Sequence, residues 1–209
     1  MDQIRVMIVD DHDVVRAGFR NWLEHEGDIV VVGEAGDGED ALRQVKELGP
    51  DVLLQDIQMS GSDGLAVIRK ILSEAHSIRI LAVAGLAGRS ARAAIESGAC
   101  GYLSKNERRE QIIHAVRWAA SGEKGVWMSP TVVEDMTRAN AVIERAGLTK
   151  GEMKLLPLIE QSNAEIAAHL HISESTVKNH LTSIYSKLGM HTRRDVACWA
   201  RGNGLLGGD

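Results

Sequence analysis

The fold is decided first by the stretch Ile4-Arg5-Val6-Met7-Ile8-Val9-Asp10-Asp11, an apolar run that ends in two acids. A run of this length, rich in Val and Ile, is typical of a buried strand. Residues 13–25 follow it and place apolar and small side chains at helical spacing, namely Val14, Val15, Gly18 and Trp22. The two segments together predict a strand followed by a helix.

The same alternation continues to residue 121. Further strands are predicted at 29–33, 51–55, 78–83 and 100–103, and further helices at 39–48, 64–72, 90–97 and 107–121. Strict alternation of five strands and five helices predicts the α/β class. We expect a flavodoxin-like, doubly wound parallel sheet with helices on both faces.

The alternation stops after Gly122, and residues 131–145 are expected to form a mobile linker with one helical segment. Short helices are then predicted at 149–161, 162–170, 177–188 and 194–201, the first two opened by the capping-box pairs Thr149/Glu152 and Ser162/Glu165. Pro157 is expected to kink the first helix. The chain therefore predicts a domain at 1–122, a linker at 123–147 and an all-α helix-turn-helix domain at 148–209.

Composition excludes several classes of protein. With 44% hydrophobic and 25% charged residues among 209, the chain is neither disordered nor fibrous, and 3% aromatics disfavour an RNA binder that stacks bases. Cys100 and Cys198 form no zinc spacing or disulfide framework and are expected to be buried in a reducing compartment. No signal segment or membrane-length apolar run is visible, which predicts a cytoplasmic protein without a membrane partner.

Charge is unevenly distributed along the chain. The net charge is −5, and residues 1–130 hold 20 of the 29 acids but only 15 of the 24 Lys and Arg residues. Residues 169–201, in contrast, contain five Lys and Arg residues against two acids. An acidic N-terminal part and a locally basic C-terminal part predict two different functions, of which the second is suited to binding nucleic acid.

Charged side chains follow three of the predicted strands. Asp10 and Asp11 end the first strand, Asp56 ends the third, and Lys105 ends the fifth. In a sheet of order 2-1-3-4-5 the ends of the first and third strands form the switch point where ligands bind. Three carboxylates that meet there repel one another, and Mg²⁺ with a phosphate oxygen suits such a cluster. Lys105 is expected to pair with a carboxylate or with phosphate oxygens.

Three segments at these strand ends resemble the receiver domain of two-component response regulators: Ile8 to His12, Leu54 to Gly64, and Gly98 to Lys105. The resemblance covers roughly residues 3–122. It implies that Asp56 accepts a phosphoryl group from a sensor histidine kinase and that Lys105 contacts the phosphoryl oxygens. It also implies a Mg²⁺ site formed by Asp10, Asp11, Asp56 and the backbone carbonyl of Gln58.

Two positions depart from the receiver pattern. Receivers usually carry Ser or Thr at the end of the fourth strand, but Ile80 to Gly88 offers no hydroxyl, and Ala84 (or Val83) takes that place. Ser60 replaces the usual Pro after Met59. Weak or atypical coupling of phosphate to conformational change is therefore expected. Tyr102 aligns with the family's rotating aromatic residue, and a buried strand tyrosine is the alternative.

The run from Ser162 to Leu181 is similar to the LuxR-type helix-turn-helix of the NarL/FixJ response regulators, over about residues 148–203. The polar face of its second helix is expected to enter the major groove of double-stranded DNA. The predicted DNA contacts are Ser175, Thr176, Lys178, Asn179, Thr182 and Lys187. Two roles are open for His180: it contacts a DNA phosphate, or it packs within the domain. The resemblance implies a homodimer on an inverted repeat when the protein is active.

The leading hypothesis is a DNA-binding transcriptional response regulator and not an enzyme. One alternative keeps this fold but regulates transcription without phosphate, because Ala84 and Ser60 depart from the receiver pattern. A second alternative is a phosphohydrolase of the haloacid-dehalogenase type, since residues 11–15 fit its D-x-D-x-V pattern. Asp13, however, better suits a helix N-cap, and this enzyme leaves the helix-turn-helix unexplained.

Overall fold

The structure, a computed structural model, describes residues 3–75, 77–85, 89–203 and 205–206. Residues 86–88, which belong to the stretch without a hydroxyl, lie outside this part. The chain divides into two compact units, Met1–Val133 and Glu134–Asp209, which are described separately. None of the helices within the described ranges has the length and apolarity needed to cross a membrane.

The first unit is built on a parallel sheet whose strands are β1 (Ile4–Val9), β2 (Ile29–Ala35), β3 (Val52–Asp56), β6 (Arg79–Ala84), β7 (Gly101–Ser104) and β8 (Trp127–Met128). Their order is β2-β1-β3-β6-β7-β8, and every neighbouring pair is parallel. Between β3 and the next helix, the strands β4 (Gln58–Met59) and β5 (Ser62–Asp63) form a small antiparallel hairpin. The prediction of an α/β doubly wound sheet is confirmed.

Helices alternate with the main strands as predicted: α1 (Asp13–Glu24), α2 (Gly38–Leu48), α3 (Gly64–Glu74), α4 (Arg89–Glu96) and α5 (Arg109–Ala120). The bounds of α2 follow from local chemistry, because Asp37 accepts hydrogen bonds from two N–H groups at its start and Gly49 ends it at φ 54°. Apolar residues of β1 and β3 form a core with α1 and α5. Burial of these residues fixes the strands whose ends carry the site.

The sixth strand, β8, was not predicted and lies in the segment expected to begin the linker. It pairs with β7, where the N–H of Trp127 donates to the carbonyl of Cys100 at 3.0 Å and that of Ser129 to Tyr102 at 3.3 Å. The Trp127 ring packs edge-on against His114 with centroids 4.8 Å apart. A two-residue strand is too short for a periodic pattern to reveal. Helix α6 (Pro130–Arg145) follows.

The second unit contains α7 (Lys150–Leu155), a 3₁₀ turn (Leu156–Leu158), α8 (Asn163–Leu170), α9 (Glu174–Leu188) and α10 (Arg193–Gly202). Both predicted capping boxes are present, at Thr149 and at Ser162. Pro157 lies in the 3₁₀ turn, so the first helix ends earlier than predicted. Cys198 on α10 is exposed, which corrects the expectation that both cysteines are buried; Cys100 is buried.

Candidate functional site

The predicted cluster of charged residues forms at the carboxyl edge of the sheet. Asp10 follows β1 and Asp56 is the last residue of β3, and each is only 1% exposed. Because β1 and β3 are neighbours in a parallel sheet, their ends meet. Ligand atoms of Asp10, Asp11, His12 and Asp56 all lie within 4.8 Å of one another. The cluster therefore offers several oxygen donors and one imidazole nitrogen to a single small volume.

Lys105 joins the two buried carboxylates. Its Nζ lies 2.6 Å from Oδ2 of Asp10 and 2.7 Å from Oδ2 of Asp56. Burial raises the pKa of Asp56, while the hydrogen bond from Lys105 opposes that rise. Burial lowers the pKa of Lys105, but the two carboxylates outweigh it and the net direction is upward. The ammonium is therefore held in its charged form beside the oxygen atoms of Asp56.

Asp11, the third carboxylate of the cluster, is held by Ser60. Both the N–H and the hydroxyl of Ser60 donate to Oδ2 of Asp11, at 2.7 and 2.6 Å. The other oxygen, Oδ1, lies 2.7 Å from Nδ1 of His12, which is itself 3.1 Å from Oδ1 of Asp10. Burial alone raises the pKa of Asp11, yet the Ser60 hydrogen bonds lower it to about 2. The sequence marked Ser60 as a departure but did not predict this contact, and it did not predict the place of His12.

The loop after β3 is fitted closely around Asp56. The N–H of Gln58 donates to Oδ1 of Asp56 at 2.9 Å, which brings the Gln58 peptide next to the cluster. The side-chain amide of the buried Gln55 donates to the Asp56 carbonyl at 2.7 Å. Gly64 at the start of α3 approaches so closely that a Cβ there would lie 2.5 Å from that carbonyl oxygen. Only glycine fits without displacement of the loop.

The two positions expected to switch are both buried. Ala84 is the last residue of β6 and its carbonyl accepts a hydrogen bond from the N–H of Lys105 at 2.7 Å. Tyr102 on β7 is fully buried, and burial raises its pKa to about 12 although a hydrogen bond with Ser90 acts in the other direction. The phenol thus interacts with the start of α4, the helix that follows the strand end lacking a hydroxyl.

Asp13, assigned from sequence to a helix N-cap, is instead the first residue of α1, and the N-cap is His12. The Asp13 side chain is 88% exposed and pairs with Arg16. It is not part of the carboxylate cluster described above. The second acid of the D-x-D pattern thus lies outside the carboxylate cluster, and this geometry gives the phosphohydrolase alternative no support.

The predicted DNA-contacting residues lie along α9. Ser175, Lys178, Asn179 and Thr182 are exposed, and Thr176 is half-buried. The Ser173 side chain caps α9 by accepting from the N–H of Thr176 at 3.1 Å, and its hydroxyl is 2.7 Å from that of Ser175. His180 packs toward α7, where its ring lies 3.1 Å from the position a Cβ on Gly151 would take. That contact favours the packing role for His180.

Lys187 is a predicted DNA contact whose ammonium is already held in an ion pair. Its Nζ donates to both carboxylate oxygens of Glu152, at 3.0 and 2.7 Å. Glu152 is only 3% exposed and also accepts from the N–H of Thr149 as part of the capping box. Lys187 therefore ties the end of α9 to the start of α7.

Comparison with known proteins matches both units of this architecture. The response regulator receiver domain matches residues 6–117, and the luxR family of bacterial regulatory proteins matches residues 146–200. The chain belongs to the two-component response regulators. It is 37% identical to the transcriptional regulatory protein LiaR of Bacillus subtilis, over 97% of this chain and 99% of that protein.

Two further proteins support the same membership. This response regulator is 34% identical to the response regulator protein VraR of Staphylococcus aureus, over 97% of this chain and 99% of that protein. The crystal structure of the response regulator ChrA, from a heme-sensing two-component system, is 38% identical over 98% of this chain and 100% of that one, with a TM-score of 0.54. The response regulator thus combines a receiver with a LuxR-type DNA-binding domain.

Proposed function

We propose that Asp56 of this response regulator accepts a phosphoryl group from a sensor histidine kinase. The observation that carries the proposal is the position of Lys105, whose Nζ lies 2.6 and 2.7 Å from the buried carboxylates of Asp10 and Asp56. A carboxylate is a competent nucleophile for an acyl phosphate, and a fixed ammonium offsets the charge of the incoming group. Asp56 supplies the first function and Lys105 the second.

The transfer is a substitution at phosphorus. An oxygen of Asp56 forms the new O–P bond while the N–P bond of the kinase phosphohistidine breaks, and the electron pair of that bond stays on the imidazole nitrogen. No oxidation or reduction takes place. The Lys105 ammonium can follow the charge from the Asp56 carboxylate to the phosphoryl oxygens, because it already lies against Asp56.

The carboxylate cluster fits a magnesium ion. Oxygen donors of Asp10, Asp11 and Asp56 lie close together, and Oδ1 of Asp11 is buried without a hydrogen bond from the described residues. Hard oxygen ligands of this kind are the ones Mg²⁺ prefers, and the adjacent Gln58 carbonyl would complete the protein's share. When bound, the ion offsets the negative charge that gathers during phosphoryl transfer.

In the same proposal, the polar face of α9 enters the major groove of DNA. Lys178 and Asn179 are exposed near the start of this helix, where side chains reach base edges in helix-turn-helix proteins. Residues 1–122 form the receiver that accepts the phosphoryl group, and residues 123–147 form the linker to the DNA-binding domain. Residues 148–209 form that domain, which binds an inverted DNA repeat as a homodimer. The short strand β8 attaches the start of the linker to the receiver sheet.

A phosphorylation-independent regulator remains the second candidate, favoured by Ala84. A buried alanine at the end of β6 offers no hydroxyl to a phosphoryl oxygen. DNA affinity measured with and without a small acyl phosphate separates the two candidates. A gain in affinity supports phosphorylation-driven control, and equal affinity of the phosphorylated and unphosphorylated protein supports the second candidate.

Covalent labelling tests the phosphoacceptor directly. Wild-type protein incubated with a small acyl phosphate and Mg²⁺ should gain one phosphoryl group by intact-mass spectrometry, and Asp56→Asn should gain none. Asp13→Asn is the matched control, because it removes an acid at the start of α1 that lies close in sequence to Asp10 and Asp11 but outside the cluster. Equal labelling of Asp56→Asn and wild type would refute the assignment, and steady turnover of a phosphate ester would favour the phosphohydrolase.

A further inference from the structure

Ser60 has a contact that the residue usual in receivers at this position could not make. Its N–H and its hydroxyl both donate to the same oxygen, Oδ2 of Asp11, at 2.7 and 2.6 Å. Proline has neither a backbone N–H nor a hydroxyl. The double contact is therefore a property of this chain's own sequence at residue 60.

The contact fixes which oxygen of Asp11 faces the cluster. With Oδ2 bound to Ser60, Oδ1 is the oxygen on the side of His12, at 2.7 Å from its Nδ1. This Oδ1 is buried and accepts no hydrogen bond from the described residues. An oxygen that is held in place and buried, and that makes no hydrogen bond within the described residues, is ready to coordinate a cation.

We propose that Ser60 is a positioning residue for the divalent cation: it holds the Asp11 carboxylate in the orientation that binds Mg²⁺. The inference rests on the proposed function, which places Mg²⁺ in this cluster. Two physical effects support it. The hydrogen bonds remove the freedom of the Asp11 side chain before the ion arrives, and they offset part of the repulsion among the carboxylates of Asp10, Asp11 and Asp56.

The test is the dissociation constant for Mg²⁺ alone, measured by isothermal titration calorimetry on the full chain without a phosphodonor. Ser60→Ala should weaken Mg²⁺ binding about tenfold, the lower end of what the loss of an outer-shell partner costs a metal site. Ser60→Thr keeps both donors and should restore affinity close to wild type.

Ser62→Ala is the matched control. Ser62 lies in the same hairpin, and its hydroxyl has no hydrogen-bond partner among the described residues. Its removal should leave Mg²⁺ affinity unchanged. Thermal unfolding without Mg²⁺ checks the fold of each variant: because Ser60 is exposed, Ser60→Ala should still unfold in a cooperative transition, with a Tm lowered by no more than the loss of one hydrogen bond.

The outcomes separate this inference from the function on which it rests. If wild type binds Mg²⁺ and Ser60→Ala binds it equally or more tightly, the role of Ser60 is refuted and the cation site stands. Failure of Ser60→Thr to restore affinity would refute the role of Ser60 in the same way. If wild type binds no Mg²⁺, the cation site itself is refuted, and the role of Ser60 falls with it.

Discussion

Replacement of Lys187 by alanine decides whether this residue supports the fold or contacts DNA. In the structure its ammonium lies 3.0 and 2.7 Å from the two oxygens of Glu152, a side chain that is only 4% exposed. Lys187→Ala leaves that carboxylate buried without its cation. Loss of one partner of such a pair is destabilising because the remaining charge is uncompensated.

The loss of stability expected for Lys187→Ala can be sized from the pKa shift of the Glu152 carboxyl group. Burial raises the pKa of Glu152, but hydrogen bonds from Lys187, Ser183 and Thr149 outweigh burial and bring it from 4.5 to about 2. A shift of that size corresponds to about 3 kcal/mol in favour of the ionised form. Lys187 supplies only part of it, and its side chain is 30% exposed, so water screens the pair. We therefore expect a loss of about 1–2 kcal/mol, or roughly 5–15 °C in Tm.

The assay compares Lys187→Ala with Lys178→Ala in the full chain. Thermal unfolding followed by circular dichroism should show the loss of stability for Lys187→Ala, while the exposed Lys178→Ala stays within about 0.5 kcal/mol of wild type. Lys178→Ala should instead weaken DNA binding, with the salt slope lower by about 1 if it contacts phosphate. If Lys187→Ala melts like wild type and lowers the salt slope, our structural role for Lys187 is wrong.

Three further predictions concern other residues. Ala84→Thr supplies the missing hydroxyl at the end of β6, and one charge-assisted hydrogen bond, about 1.5–3 kcal/mol, should raise the phosphodonor-driven gain in DNA affinity about tenfold or more; an equally large gain in wild type would contradict this. Gly64→Ala should lower the free energy of unfolding in urea by more than about 1 kcal/mol, because its Cβ meets the backbone 2.5 Å away; unchanged stability would mean that the loop yields freely. Because the folded-state pKa of Glu152 is depressed to about 2, its contribution is present above its ordinary pKa of 4.5 and lost as pH falls toward 2. The Tm advantage of wild type over Glu152→Gln should therefore shrink through that range, and a constant advantage would argue against the ion pair.

The fold was predictable because the alternating pattern is strong in this chain. Strands such as Ile4–Val9 are almost wholly apolar, and two of the helices between the strands, α2 and α3, are capped by the side chains of Asp37 and Asp63. The carboxylate site was predictable for a related reason: parallel strands bring their carboxyl ends to one edge, so Asp10, Asp56 and Lys105 had to converge. In both cases the information is local, and the topology converts it into a three-dimensional position.

Contacts made by short or irregular segments were not predictable. The two residues of β8 carry no periodic pattern and pair with β7 only because the chain returns to that edge after α5. Ser60 lies in the turn between the two short strands β4 and β5, and its hydrogen-bond partner Asp11 is 49 residues earlier in the chain. The sequence alone shows that the usual proline is replaced by Ser60. It could not show that the N–H and hydroxyl of Ser60, which proline lacks, donate to Asp11.

Lys187 is a different case, because the sequence already contained the information needed to separate it from Lys178. At 3.6 residues per turn, residues nine positions apart on one helix project about 180° away from each other. A groove can face only one side of α9, so Lys178 and Lys187 cannot both point into it. The side of α9 away from Lys178 faces α7. On that side Lys187 pairs with the buried carboxylate of Glu152, which belongs to the capping box of α7. Charge on a helix therefore predicts a DNA contact only when its position around the helix axis agrees with that of the other contacts.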